Sequence, residues 1–410
     1  MIKYLVFCFL LILLYKAEAK TIQVCRSCPV KSIKAGIKAA SDNDVLMIRK
    51  GVYKEFNLEI RKPVSIISNE NAVVDAEFKG NIFQIYTDNV VIKGLKLINV
   101  AQSYTKEYAA VLIFKAGNFK ILNNTLDKVF FGILVEKSKK GIIKGNRIRG
   151  EGKDEAGSGN GVHLWSCSDI LVENNTISGM RDGIYLEFAS DSKIINNNSK
   201  NNIRYGLHFM FSNNDEYHYN TFNNNGAGVA VMFSKFINMT HNRFYNNWGP
   251  SSYGLLLKEI YDAKILNNIF EENTTGIYLE GSTRVTYEQN NFIKNGWAVK
   301  VVGSSYSNVF RRNNFLHNSF DISYNSKINE NRFEGNFWSS YTGYDLDKDG
   351  IGDVPFRPVK LFSYIVNQTP ETIVLLRSLF VDIINFSEKV SPVFTPDDLS
   401  DEKPLMKQVK

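Results

Sequence analysis

Gly183-Ile184-Tyr185-Leu186, Gly206-Leu207-His208-Phe209 and Gly228-Val229-Ala230-Val231 are short apolar runs, each opened by a glycine and set 23 and 22 residues apart, and they decide how this chain folds. The same mark returns at Gly132, Gly161, Gly254 and Gly276. Between the marks falls an asparagine, usually two residues ahead of an apolar one: Asn124, Asn146, Asn175, Asn198, Asn220, Asn242, Asn268, Asn290 and Asn313. Each glycine mark precedes its asparagine by 14 or 15 positions, and the asparagine precedes the next mark by 8, except after Asn146 and Asn242. A fixed period of this length identifies a repeat architecture before local propensity is consulted.

Within each run, strand alternation puts residues one and three past the glycine on one face and residues two and four on the other. The first set is almost wholly aliphatic or aromatic and faces a core. A repeat of about 22 residues is too short for a helix pair, so the spacing predicts an all-β, right-handed parallel β-helix of the pectin-lyase-like kind. A column of asparagines suits such a coil, since stacked amides donate and accept along the axis and tolerate left-handed bends. The repeat is expected over residues 45–334. An N-terminal cap occupies 20–44, its amphipathic helix turning Ile33, Ile37 and Ala40 toward the first rung, because a bare end would expose core and unpaired backbone. Both departures from the 8-residue spacing, Gly150 to Asn160 and Asn246 to Tyr253, lengthen the same turn and place inserted loops on one edge.

Composition sets the surroundings. Lys3, the apolar run Tyr4 to Tyr15 and Ala17-Glu18-Ala19 read as a signal peptide cleaved after residue 19, with Cys8 inside the apolar run rather than at a lipoprotein site. The net charge is +7, of which loss of Lys3, Lys16 and Glu18 removes one. A mild excess without basic clusters speaks against nucleic acid. The expected location is the periplasm, with peripheral attachment to a membrane partner. Cys25, Cys28 and Cys167 remain after cleavage, an odd number in a compartment that permits disulfides.

The outward columns carry the candidate chemistry. Two residues past each glycine stand Leu134, His163, Tyr185, His208, Ala230, Leu256 and Tyr278; four past stand Glu136, Trp165, Glu187, Met210, Met232, Lys258 and Glu280. His208, Met210 and Met232 are therefore neighbours, a soft donor set suited to Cu(I), or else an aromatic and methionine surface for protein contact. Cys25 and Cys28 read as a local disulfide, with copper capture as the other reading. Cys167 would project outward if its strand continues, or be buried as a small apolar residue.

Asp345, Asp347, Asp349 and Asp353 occupy the first, third, fifth and ninth positions of a calcium-type loop, with Gly350 at the sixth and Ile351 at the seventh, where such loops offer a backbone carbonyl. Phe356 stands where a helix-flanked loop would have Glu, which leaves Ca2+ or a hydrogen-bonded acidic turn. For catalysis, Asp182, Glu187 and Asp191 are the nearest carboxylates to a pair, and nothing resembles a nucleophile with its base. The chain therefore reads as a non-enzyme.

Gly335 to Pro355, running Gly335-Asn336-Phe337-Trp338-Ser339-Ser340-Tyr341 into the aspartate loop, resembles the stretch that closes the β-helix of NosD-type periplasmic copper-binding proteins, apart from Ser340, where the family usually has an acidic residue. Gly51-Val52-Tyr53 and Lys62-Pro63-Val64-Ser65-Ile66 resemble the opening of that group. Thr369 to Phe380, Val393 to Pro396 and Asp401 to Met406 resemble the family's tail. The resemblance covers the mature chain and implies a closing acidic loop over 335–360 and a helical tail over 361–410 that docks on a membrane partner. By itself that tail reads as one nearly all-apolar helix through Ile373, Leu376, Leu379, Phe380, Ile383, Ile384 and Phe386, interrupted by Arg377 and Asp382, which is expected to bury itself by capping the last rung, by docking on a membrane partner, or by both with different faces. The resemblance further implies maturation of nitrous oxide reductase in denitrification, together with an ABC transporter permease and its ATPase, a copper chaperone and the reductase. A secreted carbohydrate-binding or uronan-acting β-helix is the alternative.

Overall fold

The computed structural model describes residues 19–410 except 104, 326–329 and 391–398; the expected signal peptide and Val393 to Pro396 lie outside the described residues. Three parallel sheets of 12, 14 and 13 strands wrap one coil. One rung shows how. Asp182–Glu187 lies in the 12-stranded sheet (sheet I), Lys193–Ile195 in the 14-stranded sheet (sheet II) and Asn198–Lys200 in the 13-stranded sheet (sheet III). The chain then re-enters sheet I at Tyr205–Met210, with Ile184 opposite Leu207 and Leu186 opposite Phe209.

Residues one and three past each glycine are buried as expected: Ile184, Leu186, Leu207, Phe209, Val229 and Val231 are each 0% exposed. Sheet III adds a stack of rings inside the coil, Phe222, Phe244, Phe270, Phe292, Phe315 and Trp338, with successive centroids 4.0–5.4 Å apart. The glycines also stack. Cβ atoms built on Gly183 and Gly206 would stand 2.6 Å and 2.7 Å from the carbonyl oxygens of Gly206 and Gly228. Such a clash leaves little room for any side chain, which is the physical reason for the mark.

The asparagines form an unbroken ladder at the turn between sheets II and III. Asn220 Oδ1 accepts from the backbone N–H of Asn197 at 2.9 Å and from its Nδ2 at 3.1 Å, while Asn220 Nδ2 donates to Asn242 Oδ1 at 3.0 Å and to the Ile194 carbonyl at 2.7 Å. This corrects one member: the ladder runs through Asn197, and Asn198 begins the next strand. In the run 196–198, Asn196 takes the left-handed conformation (φ 53°), so the bend falls on the residue before each ladder asparagine. The error hid an extra residue between Asn202 and Gly206. Asn202, Asn225, Asn247, Asn273, Asn295 and Asn318 form a second ladder at the turn between sheets III and I. Asn225 stands three residues before its glycine and Asn202 four. All three irregular rungs therefore widen the same turn.

Both ends are closed. Helix α1 (Ile33–Ala39) starts at Ser32, whose hydroxyl accepts from Ala35 N–H, and Glu55 accepts from the N–H groups of Ile33 and Lys34 at 2.8 Å each. Ile33 and Ala40 are buried and Ile37 packs against the core. Within the expected cap, Thr21–Val24 is itself the first strand of sheet II, paired with Val45–Ile48.

The tail departs from expectation in two ways. It is not one helix: α2 (Leu361–Gln368), a 3-10 turn (Pro370–Leu375) and α3 (Leu379–Val390) are separate pieces. Nor do these close the last rung. Residues 399–409 do so, through bridges from Asp401 to Phe333 and from Leu405 to Phe337. Instead α2 lies across the last strands of sheet I, where Phe362 and Val366 pack with Trp297, Phe320 and Val381.

Candidate functional site

The outer face of sheet I holds more than the column read from alternation. The kink at each glycine brings the preceding residue onto this face too: Phe131 stacks on His163 (5.8 Å), Tyr205 lies against His208 (4.9 Å) and Tyr253 against Tyr278 (5.1 Å). Strict alternation cannot foresee that, because the period breaks at the glycine. The turn between sheets III and I supplies Asn160 and Arg204 from widened rungs and Arg181 from the regular rung between them. As a result His163 and His208 are only 8% and 3% exposed, and Tyr185 sits between them at 4.7 Å and 4.9 Å.

Polar atoms are buried here without partners. Asn160 Oδ1, His163 Nε2, Arg181 Nε, Asp182 Oδ2 and both ring nitrogens of His208 are shielded from solvent, and none has a hydrogen-bond partner. Asp182 is 0% exposed, and its Oδ2 lies 3.8 Å from Arg181 Nε and 3.7 Å from His208 Nδ1, too far for direct bonds. Burial, aided by the Arg181 charge, pushes His163 down to about 4, so its imidazole is neutral. Burial and then Glu187, whose carboxylate accepts from Tyr185 at 3.3 Å, push the Tyr185 phenol up to about 12. Glu107 is also raised, by burial. Arg204 lies over the Tyr205 ring at 4.7 Å and makes no salt bridge among the described residues.

The soft donor set divides in two. Met210 and Met232 are opposite partners on adjacent rungs and both half-buried. His208, by contrast, turns Nδ1 toward Asp182 at the other end of the strands. Cys25 and Cys28 form a disulfide, with Cα atoms 5.0 Å apart. Cys167 is buried: its strand ends at Trp165, Ser166 bends left-handed, and the thiol turns in to donate to the carbonyls of Val135 and Trp165. Burial raises it to about 11, so it is inert at neutral pH.

In the aspartate loop, Asp345, Asp347 and Asp349 offer oxygens within 4.8 Å of one another. These carboxylates also accept from the loop's own backbone, Asp345 from Gly350 N–H (2.9 Å) and Asp349 from Ile351 N–H (2.7 Å), while Asp353 ties back to Leu346 N–H (2.7 Å). Of the three carboxylates nearest to a catalytic pair in the sequence, Asp182 is in the polar cluster, Glu187 borders it, and Asp191 takes a left-handed turn conformation outside it.

The tail presents the second candidate surface. Val374, Leu379, Phe386, Ile383 and Phe380 are 83%, 74%, 69%, 55% and 53% exposed. No helix among the described residues is long and apolar enough to cross a membrane.

Residues 149–343 match the family described as periplasmic copper-binding protein (NosD). Two curated relatives, each named probable ABC transporter binding protein NosD, come from Stutzerimonas stutzeri and Pseudomonas aeruginosa. Both are 27% identical; the first match covers 85% of this chain and 84% of the relative, the second 86% of each. The chain is thus similar to NosD proteins along most of its length. Among solved structures, its coil is similar to the A-module of the mannuronan C-5 epimerase AlgE6 of Azotobacter vinelandii (TM-score 0.65, 14% identity, 76% of this chain and 95% of that one). It is also similar to PfbA, a surface adhesin of Streptococcus pneumoniae (TM-score 0.52, 13% identity, 78% and 91%). Likenesses this remote establish the coil alone.

Proposed function

We propose that this NosD-like protein is a non-enzymatic periplasmic maturation factor that works with an ABC transporter in assembling the copper centre of nitrous oxide reductase. The observation that carries this reading is the apolar surface of α3 and the preceding 3-10 turn, anchored through Phe362, Val366 and Val381 to the end of sheet I. A cluster of exposed apolar side chains within thirteen residues of chain marks a protein or membrane contact. Relatives named as ABC transporter binding proteins supply the class of partner, a permease in the cytoplasmic membrane with its ATPase beyond it. The lateral faces of the coil then stand clear to receive a copper chaperone and the reductase.

Copper in this reading is cargo, not a resident cofactor. Met210 and Met232 are the contacts of this chain best matched to Cu(I), two soft thioethers side by side, with the remaining ligands supplied by the donor protein. Replacing both by Leu keeps the volume and removes the sulfurs. Retention of Cu(I) delivered by the chaperone should fall sharply in that variant and persist in His208→Gln; unchanged retention in the double variant rules the pair out.

A further inference from the structure

Phe188, Phe211 and Phe233 stand at the turn from sheet I to sheet II on three successive rungs, and the fold itself does not call for them. The turn needs a left-handed residue in every rung: Lys115, Lys137, Ser166, the three phenylalanines and Glu259 hold φ between 49° and 54°, and Gly281 and Gly303 follow in the same place. A bulky side chain is strained in that conformation, where asparagine or glycine is at ease. Nor are the rings tucked into the coil. They are 51%, 40% and 41% exposed and stack on one another at 5.2 Å with their planes within 12°. Backbone strain and exposed apolar surface are two costs at the same three positions, and the stack offsets only part of them.

The apolar corner is wider than the stack. Met210 and Met232, both half-buried, immediately precede Phe211 and Phe233. Past the turn, Phe236 is exposed and donates its N–H to the carbonyl of Tyr261, itself exposed on the following rung. Charge divides the rim. Glu187, Asp169 and Asp191 stand at the Phe188 end, in no salt bridge among the described residues, while Lys235 lies over the Phe236 ring at 5.6 Å at the other.

This make-up selects the occupant. The exposed rings offer roughly 400–500 Å2 together, short of the about 800 Å2 per partner that a lasting interface buries, so a second copy of this chain is a poor match. Carboxylates at the Phe188 end repel an anionic bilayer. What fits is a brief protein contact, apolar at its centre and basic where it meets Asp169 and Asp191. The thioether pair on its border fixes the kind of protein, because two soft sulfurs beside a docking surface are placed to take Cu(I) from whatever docks there.

We infer that the corner formed by Phe188, Phe211 and Phe233 is the docking surface for the protein that delivers Cu(I) to Met210 and Met232. This rests on the copper reading given above and adds to it the face and the orientation of the donor. The ion passes by ligand exchange, one ligand of the donor leaving for each thioether that binds, with no change of oxidation state.

The test is titration calorimetry of the mature chain with the copper chaperone, free of copper and loaded with Cu(I). In the triple variant Phe188→Asn, Phe211→Asn and Phe233→Asn, docking of both forms is expected to weaken by about tenfold or more. Melting should stay level with the parent or rise, since asparagine relieves the strain. Phe211→Lys, a residue type that the same turn holds at Lys115 and Lys137, serves if the triple variant melts early. Met210→Leu with Met232→Leu should keep the docking of the copper-free chaperone. Equal affinity of the parent and the phenylalanine variants, or loss of copper-free docking through the methionines alone, overturns the proposal and leaves the copper reading standing; a chaperone that does not bind the parent overturns both. A parent that sediments as a dimer, with the triple variant a monomer, gives the corner to a second copy and overturns it as well.

Discussion

Asp401 stands where the next ladder asparagine would stand after Asn336. Its Oδ2 accepts from Asn336 N–H at 2.8 Å, from Asn336 Nδ2 at 3.0 Å and from the Trp338 indole at 3.1 Å, while Oδ1 accepts from Gly335 N–H at 2.9 Å. An ionised carboxylate only accepts, which suits the last place in a ladder with no further rung to receive a donor. The chain returns from residue 338 to residue 401 to put it there, and α2 and α3 lie in the excursion between.

Asp401→Ala leaves the buried Asn336 amide and the Trp338 indole unsatisfied. A loss of about 3 kcal/mol or more is expected. Because each rung contacts only its neighbours, the damage should stay local. Hydrogen exchange is expected to quicken at Asn336 to Trp338 and to stay unchanged around Gly183; uniform quickening would show that the coil melts as one unit.

The corrected ladder register is testable by a pair of alanines. Asn197→Ala removes an amide that accepts from Asn175 N–H and Nδ2 and donates to the Val172 carbonyl, at a cost of about 2–4 kcal/mol. Asn198→Ala removes a side chain whose Oδ1 has no partner, at a cost under about 1 kcal/mol. Equal losses in urea melts would return the ladder position to Asn198.

Asp215 gives the coil a pH dependence of known sign. Burial raises its carboxyl to about 7 from an ordinary 3.8, so between those values the folded chain holds a proton that the unfolded chain has released. Its contribution is full below about 4 and is lost as pH rises through about 7. Asp215→Asn keeps an oxygen for Ser192 N–H, now at 2.8 Å, and removes the titration. The variant should melt above the parent at pH 8 and level with it at pH 4; parallel curves would contradict this.

The coil itself was legible because its two marks obey backbone geometry. Gly183, Gly206 and Gly228 leave no room for a side chain, and one buried amide per rung must pass hydrogen bonds along the axis, so both constraints recur at the coil's period. What escaped was whatever broke that period. The 8-residue spacing points to Asn198 in place of Asn197 because this rung carries one residue more near Arg204. Tyr205 and Asp182 reached the outer face through a kink that alternation does not describe, so Arg181 and Arg204 were not connected with His163. In the tail, apolar content was readable from Ile373 to Phe386, but its division into a packed α2 and an exposed α3 depends on Trp297 and Phe320, far away in sequence. Nothing near Asp401 marks it as the ladder's last member.

The central claim is that α3 is the surface that meets the transporter. A photo-crosslinking residue placed at Phe386 in membranes holding the whole assembly tests it directly, with one at Trp248, 62% exposed on the inserted turn, for comparison. Crosslinks from position 386 to the permease, and none from 248, are predicted. Permease crosslinks from 248 with none from 386 would contradict the account.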